Sequence, residues 1–481
     1  MSNLAQDLAL LEARGLMRVT TDGENPVVRF KHALTREATY NSILQSRRNE
    51  LHCAVAQTLL QFHQQLDLEL VLSIAEHQLR CGDTGGLADF LLPFAQRLIY
   101  TGRSTPLIDV LLQLPRAELG APQLREIDLA LADAHAARGE YERARDLYAQ
   151  LLPRADADAL RARLRQSLGA ANYHLGDYAN ALEHYRASLA LAQAQGDIAL
   201  QAKSHGGIGL VHLALGETAR AENFLRTSRD LGMQLGEGLE LAAAEYNLGG
   251  VQRLLGQYPQ AIESIEHALM LEEKFGHVAA AARSLQLLGA CYHSMGALET
   301  AIEYYNRAIG SSRAIGDFEA TAIVQSNLAE LHAELNELDT AANLYDDSTQ
   351  YFRAAALEFA LAYNLAGQAH VQFLQAQKNR DAELLTHAQR MANDALEIAR
   401  RIHSPEVEGI AYRVRAEIAA GQNDLSEAER CAQASVDLMR QIGSALELKR
   451  AYRTYAEILN QSADPDARAR AAAYFERAEK G

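Results

Sequence analysis

Histidine is the residue type with the most obvious capacity for chemistry in this sequence, since sixteen are present and a neutral imidazole is a common metal ligand. Their spacing does not favour a metal site, because there is no HExxH motif and no HxxxH pair with a carboxylate nearby. His212 and His332 instead share one position of a periodic pattern with Asn172, Gln252 and Tyr292. Such a position is typical of packing side chains, so we expect no metal site.

The motifs of nucleotide binding and covalent catalysis are also missing. The sequence contains no GxxxxGK[ST] phosphate loop, no GxSxG motif and no dinucleotide-binding fingerprint. Paired carboxylates such as Glu272–Glu273 are expected on solvated helix surfaces. The sequence therefore predicts no catalytic residue, no cofactor and no enzymatic activity.

One stripe of polar residues does suggest binding. In four early repeats, the face of the first helix that points away from its buried Leu–Gly stripe carries four basic residues and no acidic one. This stripe predicts a groove for an acidic segment of a protein or peptide partner. The alternative is that its basic residues pair with acids of neighbouring second helices. The residues of this predicted groove are Arg163, Gln166, Tyr173, His174, Lys203, Tyr246, Arg253, Arg283, Gln286 and His293.

In later repeats the same stripe has mixed charge, so an acidic ligand should prefer the earlier half. The charged residues of this later stripe are Glu330, Glu334, Arg413, Glu417, Arg450 and Glu457. The whole chain has 62 acidic and 46 basic residues, for a net charge of −16. Such a surface repels nucleic acid and anionic lipid, which disfavours both as partners.

The elements that position this stripe follow a 40-residue period. Four independent series of small residues share that interval, which predicts a repeat architecture. The series are Gly176, Gly216, Gly256, Gly296 with Asn336; Gly169, Gly209, Gly249, Gly289 with Ala329 and Ala369; Gly196, Gly236, Gly276 and Gly316; and Ala181, Ala221, Ala261, Ala301 and Ala341.

The unit 242–276 shows what each series does. Its first helix is predicted to end at Gly256, where a glycine tolerates the positive φ of a C-terminal cap. A second helix is predicted to start near Tyr258–Pro259 and to end at Gly276. Small residues at Gly249 and Ala261 let the two helices approach closely. Sparse proline, nine in 481 residues, agrees with long uninterrupted helices.

The recurring LGxxY, LGxY and alanine positions resemble the tetratricopeptide repeat (TPR), although the unit is 40 rather than 34 residues long and lacks tryptophan. The resemblance runs from about Leu124 to the C-terminus. It implies an all-α fold, a right-handed solenoid of antiparallel helix pairs over residues 124–481. About seven extra residues are expected near 378–385, and weaker helical repeats over 53–123.

The first fifty residues have a different pattern. Asn3–Gly15 reads as a helix, Leu16–Thr20 and Val27–His32 as the strands of a hairpin, and Thr35 as the cap of a helix running through Arg47 towards His52. A helix, a hairpin and a helix are typical of the end of a winged-helix domain.

The segment FKHALTREATYNSILQSRRNELHCAVAQTL resembles the junction between winged helix and helical repeats in signal-transduction ATPases with numerous domains, both the cyclase-associated and the maltose-regulator-like kinds. The resemblance assigns residues 1–52 to a partial winged helix. It also implies that His32 corresponds to a histidine that reports the nucleotide state. Because the phosphate loop is missing, His32 is expected to be either a residue of the fold or a relic of a nucleotide sensor.

Cysteine usage and hydropathy bear on the compartment. Cys53, Cys81, Cys291 and Cys431 stand far apart with no CxxC pair, which predicts reduced thiols and no disulfide framework. No stretch approaches 18 apolar residues and no secretory signal is visible, so we expect a cytoplasmic protein with no membrane partner.

The most direct functional expectation follows from the repeats alone, since stacked helix pairs create a long binding surface without any catalytic group. We expect a protein- or peptide-binding scaffold, as the regulatory or sensing arm of a bacterial signalling system. The alternative is that the repeats sense a small molecule, as the C-terminal region of a signalling ATPase or transcription regulator.

Overall fold

Helices make up nearly all of the described chain, in agreement with the all-α prediction. The computed structural model describes residues 2–22, 25–62, 67–82, 84, 86–442, 444–462 and 465–480. The chain forms two compact units, Met1–Asn180 and Ala181–Gly481, here called unit 1 and unit 2.

Unit 1 begins with a helix and an antiparallel hairpin, as predicted. The two strands pair with Arg18 opposite Arg29 and Val19 opposite Val28. The elements of this unit are α1 (Ser2–Ala13), β1 (Met17–Asp22), β2 (Asn25–Phe30), α2 (Ala33–Ser42), α3 (Gln45–Phe62), α4 (Leu68–Cys81), α5 (Leu87–Leu91), α6 (Ala95–Tyr100), α7 (Ser104–Leu112), α8 (Ala121–Ala137), α9 (Tyr141–Leu151) and α10 (Asp158–His174).

The helix predicted from Thr35 towards His52 is wrong in two respects. It begins at Ala33, with His32 rather than Thr35 at the capping position, and it ends at Ser42. The backbone at Ile43 is extended, and α3 starts separately at Gln45. Hydroxyl groups near this end bond to the helix backbone, Ser42 Oγ to the Thr39 carbonyl at 2.7 Å, in competition with the regular helix pattern.

The prediction that all cysteines are reduced is also wrong for one pair. Cys53 of α3 and Cys81 of α4 form a disulfide, with their Cα atoms 5.0 Å apart. The 28 residues between them hide this proximity in the sequence, because α3 and α4 pack as a helical pair. Cys291 and Cys431 are buried free thiols.

Unit 2 is a stack of antiparallel helix pairs, with no strand among its described residues. Its helices alternate between first helices (even numbers) and second helices (odd numbers). They are α11 (Tyr178–Gln195, which contains the boundary between the units), α12 (Ile198–Ala214), α13 (Thr218–Leu235), α14 (Leu239–Leu254), α15 (Tyr258–Lys274), α16 (Val278–Ser294), α17 (Leu298–Ala314), α18 (Phe318–Glu334), α19 (Leu338–Ala354), α20 (Glu358–Asn379), α21 (Ala382–Arg401), α22 (Pro405–Gly421), α23 (Leu425–Ile442), α24 (Ala445–Gln461) and α25 (Pro465–Lys480).

Positive φ angles occur at the helix ends, at the 40-residue spacing that the sequence predicts. Gly256 and Gly276 have φ values of 72° and 69°, and Asn336 continues the first series with a φ of 60°. Because the left-handed region favours glycine and tolerates asparagine, these residues end the helices where the sequence predicts.

The second glycine series marks places where two helices touch. A Cβ atom on Gly249 would lie 2.5 Å from Cγ1 of Ile265 and 3.0 Å from the carbonyl oxygen of Ala261. Ala261 and Ile265 are fully buried on α15. These contacts confirm the predicted phase of the repeat.

The extra residues predicted near 378–385 lengthen two helices. α20 has 22 residues and α21 has 20, whereas most helices of unit 2 have 17. The pair still packs around Ala388, Ala392 and Ala395, all of which are buried. Among the described residues, no helix is long and apolar enough to cross a membrane.

Candidate functional site

The first helices α18, α20, α22 and α24 of unit 2 line a cavity of about 260 Å³, here called the charged cavity. Tyr345 of the second helix α19 also reaches this cavity, because it packs against Gly367 of α20. A Cβ atom on Gly367 would lie 2.5 Å from the Tyr345 hydroxyl oxygen. The lining residues are Glu330, Ala333, Glu334, Tyr345, Tyr363, Ala366, Gly367, His370, Val371, Ile410, Arg413, Val414, Glu417, Glu447, Arg450, Arg453, Thr454 and Glu457.

Arg450 connects the first and the last of the four helices that line this cavity. Its guanidinium on α24 contacts Glu330 at 2.5 Å and Glu334 at 3.0 Å, both on α18, and Glu447 at 2.7 Å on its own helix. Five helices lie between α18 and α24 in the chain. One side chain therefore bridges residues more than a hundred positions apart.

A second ionic group lies between α20, α22 and α24. The Glu417 carboxylate is 2.6 Å from Nδ1 of His370 and 3.1 Å from Nη1 of Arg413, and it accepts a hydrogen bond from Oγ1 of Thr454 at 3.1 Å. Burial opposes ionisation of this carboxyl, but His370 and Arg413 outweigh it and lower the pKa of Glu417 to about 2. Glu417 is thus a fixed negative charge.

A larger cavity of about 650 Å³, the outer cavity, adjoins the first and shares four of its residues. Its own lining adds the apolar side chains Phe475 and Ala478 from α25 and the charges of Lys449 and Glu479. The residues common to both are Glu334, Arg450, Arg453 and Glu457. The two cavities therefore offer a charged pocket that continues into a wider, partly apolar one.

The predicted groove is divided between the two units. In unit 1, Arg163 contacts Asp133 of α8 at 2.7 Å and lines a cavity of about 470 Å³. Asp133 also accepts a hydrogen bond from the Tyr148 hydroxyl at 2.7 Å. The positive charge of Arg163 is thus neutralised by an acid of another first helix.

The other groove residues of unit 1 lie on α10 as well. The ring of His174 stacks on Tyr141 with a centroid distance of 4.1 Å, and Tyr173 packs edge-on against His174. Gln166 is half-buried on the same helix. His174 and Tyr173 therefore contribute an aromatic surface at the end of α10.

In unit 2 the predicted groove is partly neutralised. Lys203 contacts Glu240 at 3.2 Å, and Nε2 of His293 lies 3.0 Å from Glu334. Within the described residues, Arg253 and Arg283 have no ion pair, and Nε of Arg253 is buried without a hydrogen bond. These acids lie on first helices, not on the second helices that the alternative named, and Glu334 belongs to the later part of the same stripe.

The remaining two groove residues lie between these charges. Burial raises the pKa of the Tyr246 hydroxyl on α14, and Gln286 is half-buried on α16. His32, for which the sequence leaves open a fold residue or a relic of a nucleotide sensor, is exposed at the start of α2 and forms no capping hydrogen bond.

Two expectations about other acidic and histidine residues have different outcomes. His212 is buried and stacks on Phe224, as expected of a packing residue. Glu272, expected on the surface, is instead 3% exposed and accepts a hydrogen bond from Ser284 Oγ at 2.7 Å. Its helix α15 turns this position towards α16, which the single adjacent pair of acids did not reveal.

The described residues contain no group of three or more His, Cys, Asp or Glu that could hold a metal ion.

Sequence reasoning missed two clusters. It noted six charged residues of the charged cavity as a mixed stripe but not Glu447, His370 or the two tyrosines. It also missed a hydrogen-bonded chain in unit 1, in which the Tyr40 hydroxyl lies 2.9 Å from His52 Nε2, and His52 Nδ1 lies 2.7 Å from His77 Nδ1. Burial lowers the pKa of both histidines.

Comparisons with known proteins agree with the helix pairs. Family models described as tetratricopeptide repeat match residues 129–162, 158–232 and 240–314. No curated protein matches the sequence significantly.

Three solved structures show the same fold at low sequence identity. The apo form of the quorum sensor NprR from Bacillus thuringiensis is 14% identical, covers 73% of this chain and 97% of its own, and has a TM-score of 0.55. Aspartyl phosphate phosphatase F from Bacillus subtilis is 12% identical, with 75% and 94% covered and a TM-score of 0.52. A signal transduction ATPase with numerous domains and a tetratricopeptide repeat sensor, from Pyrococcus horikoshii, is 15% identical, with 84% and 60% covered and a TM-score of 0.50.

Proposed function

We propose that this chain, which is built from tetratricopeptide repeats, is a non-catalytic scaffold that binds a protein or peptide segment in a regulatory or sensing role. The observation that carries this proposal is the charged cavity with its outer extension, which four successive first helices and α25 build together. Two of the similar folds belong to proteins described as a quorum sensor and as a signalling ATPase with a repeat sensor. Their descriptions agree with a sensing role.

The size of the two cavities supports a peptide as ligand. Small-molecule sites usually have volumes of about 300–1,000 Å³, and the charged cavity is smaller than that. It suits one side chain, while the outer cavity of about 650 Å³ leaves room for neighbouring residues. A peptide that anchors one side chain and lies along α24 and α25 uses both.

The volume of the outer cavity also favours a second candidate, a sensor of a small molecule. In this case a metabolite alone should raise the melting temperature of the purified chain, because binding to the native state adds stability by mass action. A peptide scaffold predicts no such shift with a metabolite mixture from the host.

Affinity purification from the host with a blocked cavity tests the proposal. Ala333 lines the charged cavity on α18 and is half-buried, so Ala333→Trp fills the space with a large ring. The matched control is Ala354→Trp, at an exposed position at the end of α19. We expect the wild type and the control to retain the same partner and Ala333→Trp to lose it, with unchanged circular dichroism. Equal recovery of the partner by all three proteins would contradict the proposal.

A further inference from the structure

The charged cavity contains more negative than positive charge. Its walls have five carboxylates but only the three guanidinium groups of Arg413, Arg450 and Arg453. Five against three leaves two negative charges, and one remains even when His370 is counted as a fourth positive charge. Lys449 and Glu479 of the outer cavity cancel each other. The five carboxylates belong to Glu330, Glu334, Glu417, Glu447 and Glu457.

One buried carboxylate of the charged cavity lacks hydrogen bonds. The Glu447 side chain is only 9% exposed, and its Oε1 lies 2.7 Å from Arg450. Its Oε2 lies 3.8 Å from Nη2 of Arg413 and accepts no hydrogen bond. One donor, Nε of Arg413, is also buried without a partner. A buried carboxylate oxygen without a donor is costly, which favours a donor-rich ligand group.

The carboxylates of the cavity are spaced so that one cationic group can contact several of them. The guanidinium group of Arg450 contacts three. Tyr345 and Tyr363 line the same cavity, and aromatic rings attract cations. The Glu330 carboxylate is the main cause that raises the pKa of the Tyr363 hydroxyl, so its field reaches across the cavity. Glu457, which is exposed at the border with the outer cavity, has no ion pair among the described residues.

We propose that the charged cavity binds a cationic group of the partner peptide, the ammonium or guanidinium group of a lysine, an arginine or a free N-terminus, with Glu457 as the entry carboxylate. This inference rests on the proposed function and adds the chemistry of the anchor. The cationic group enters from the outer cavity, pairs with Glu457, and adds donors to the carboxylates that Arg413 and Arg450 leave incompletely satisfied.

A peptide array provides the test. The probes are decapeptides of randomised sequence in which one position holds a fixed amino acid, made once with acetylated and once with free N-termini. The full chain is applied as wild type, as Glu457→Gln and as Glu397→Gln. Glu397 is the matched control, an exposed carboxylate on the second helix α21. Circular dichroism confirms that the three proteins are equally folded.

We expect the wild type and Glu397→Gln to prefer lysine or arginine at one position, or the free N-terminus, and Glu457→Gln to bind these probes about tenfold more weakly. The two termini and the two basic residues identify which cationic group is the anchor. Binding without preference for a basic group, or with the same preference in Glu457→Gln, overturns the inference and leaves the scaffold proposal intact. No binding to any probe, together with no partner recovered by affinity purification, overturns both.

Discussion

At the scale of single residues, the carboxyl group of Glu272 has the clearest consequence for stability. Burial raises its pKa to about 7 from an ordinary value of 4.5, against the opposing effects of the Ser284 hydrogen bond and Arg283. The folded protein therefore binds this proton more tightly than the unfolded chain. The stabilisation is complete below pH 4.5 and is lost as the pH rises through 7.

Glu272→Gln should remove this dependence, because the amide carries no charge and can still accept the Ser284 hydrogen bond. At about 1.4 kcal/mol per pKa unit, we expect the unfolding free energy of the variant to gain about 3 kcal/mol over the wild type between pH 4.5 and pH 8. Urea denaturation across this range measures it. A stability difference that does not change with pH would contradict the prediction, and the exposed neighbour Glu273→Gln serves as control.

Glycines that touch a neighbouring helix should respond differently from glycines in open space. Gly249→Ala places a methyl group 2.5 Å from Ile265, which should cost about 1–3 kcal/mol through overpacking. Gly310→Ala, in α17, meets no atom within 4 Å and should stabilise by about 0.5–1 kcal/mol through helix propensity. Denaturation midpoints that shift in the same direction for both variants would refute the repeat phase.

Arg253 and Arg283 of the predicted groove have no ion pair among the described residues, so the prediction of an acidic partner can be tested there. Arg253→Glu with Arg283→Glu should lose a partner that binds through an acidic segment, because the reversal repels it, while the circular dichroism stays unchanged. The matched control is Arg186→Glu with Arg390→Glu, at exposed positions of second helices. Equal pull-down of the partner by both double variants would show that the acidic segment does not bind at Arg253 and Arg283.

At the scale of helices, the backbone at each end is determined by one residue. Ala356 follows α19 with a φ of 54°, although an alanine disfavours this region by about 1–2 kcal/mol. Ala356→Gly should therefore raise the unfolding free energy by about 1 kcal/mol, and Gly316→Ala, at a φ of 72°, should lower it by a similar amount. Thermal unfolding of the two variants measures the difference, and a loss of stability in Ala356→Gly would contradict it.

Residues at helix ends and at helix contacts show how much of the helix arrangement the sequence predicts. Gly256, Asn336 and Gly249 encode helix ends and close contacts within one repeat, so their 40-residue spacing suffices. The break after Ser42 coincides with a local hydroxyl bond, and the Cys53–Cys81 bond requires that α3 and α4 align side by side. Neither has a periodic signal in the sequence.

At the scale of the whole molecule, the charged cavity shows why the site could not be predicted in the same way. The sequence placed Arg450, Glu330 and Glu334 on one mixed stripe, but their contact depends on the geometry added by each helix pair from α18 to α24. A small change in how each helix pair packs on the next accumulates from α18 to α24, and the sequence does not specify this packing geometry. The early groove that the sequence favours therefore depends on Arg253 and Arg283, which have no ion pair within the described part of the chain, whereas the later half contains the charged cavity.

The central claim is that a partner binds along the first helices of unit 2. Photo-crosslinking tests it most directly. A photoreactive amino acid replaces either Arg453 on α24, which lines both cavities, or Arg390 at an exposed position of α21. In cells of the host, we expect the residue at position 453 to capture one partner, and the residue at position 390 not to capture it. Capture of the same partner at both positions, or only at position 390, would contradict binding along the first helices.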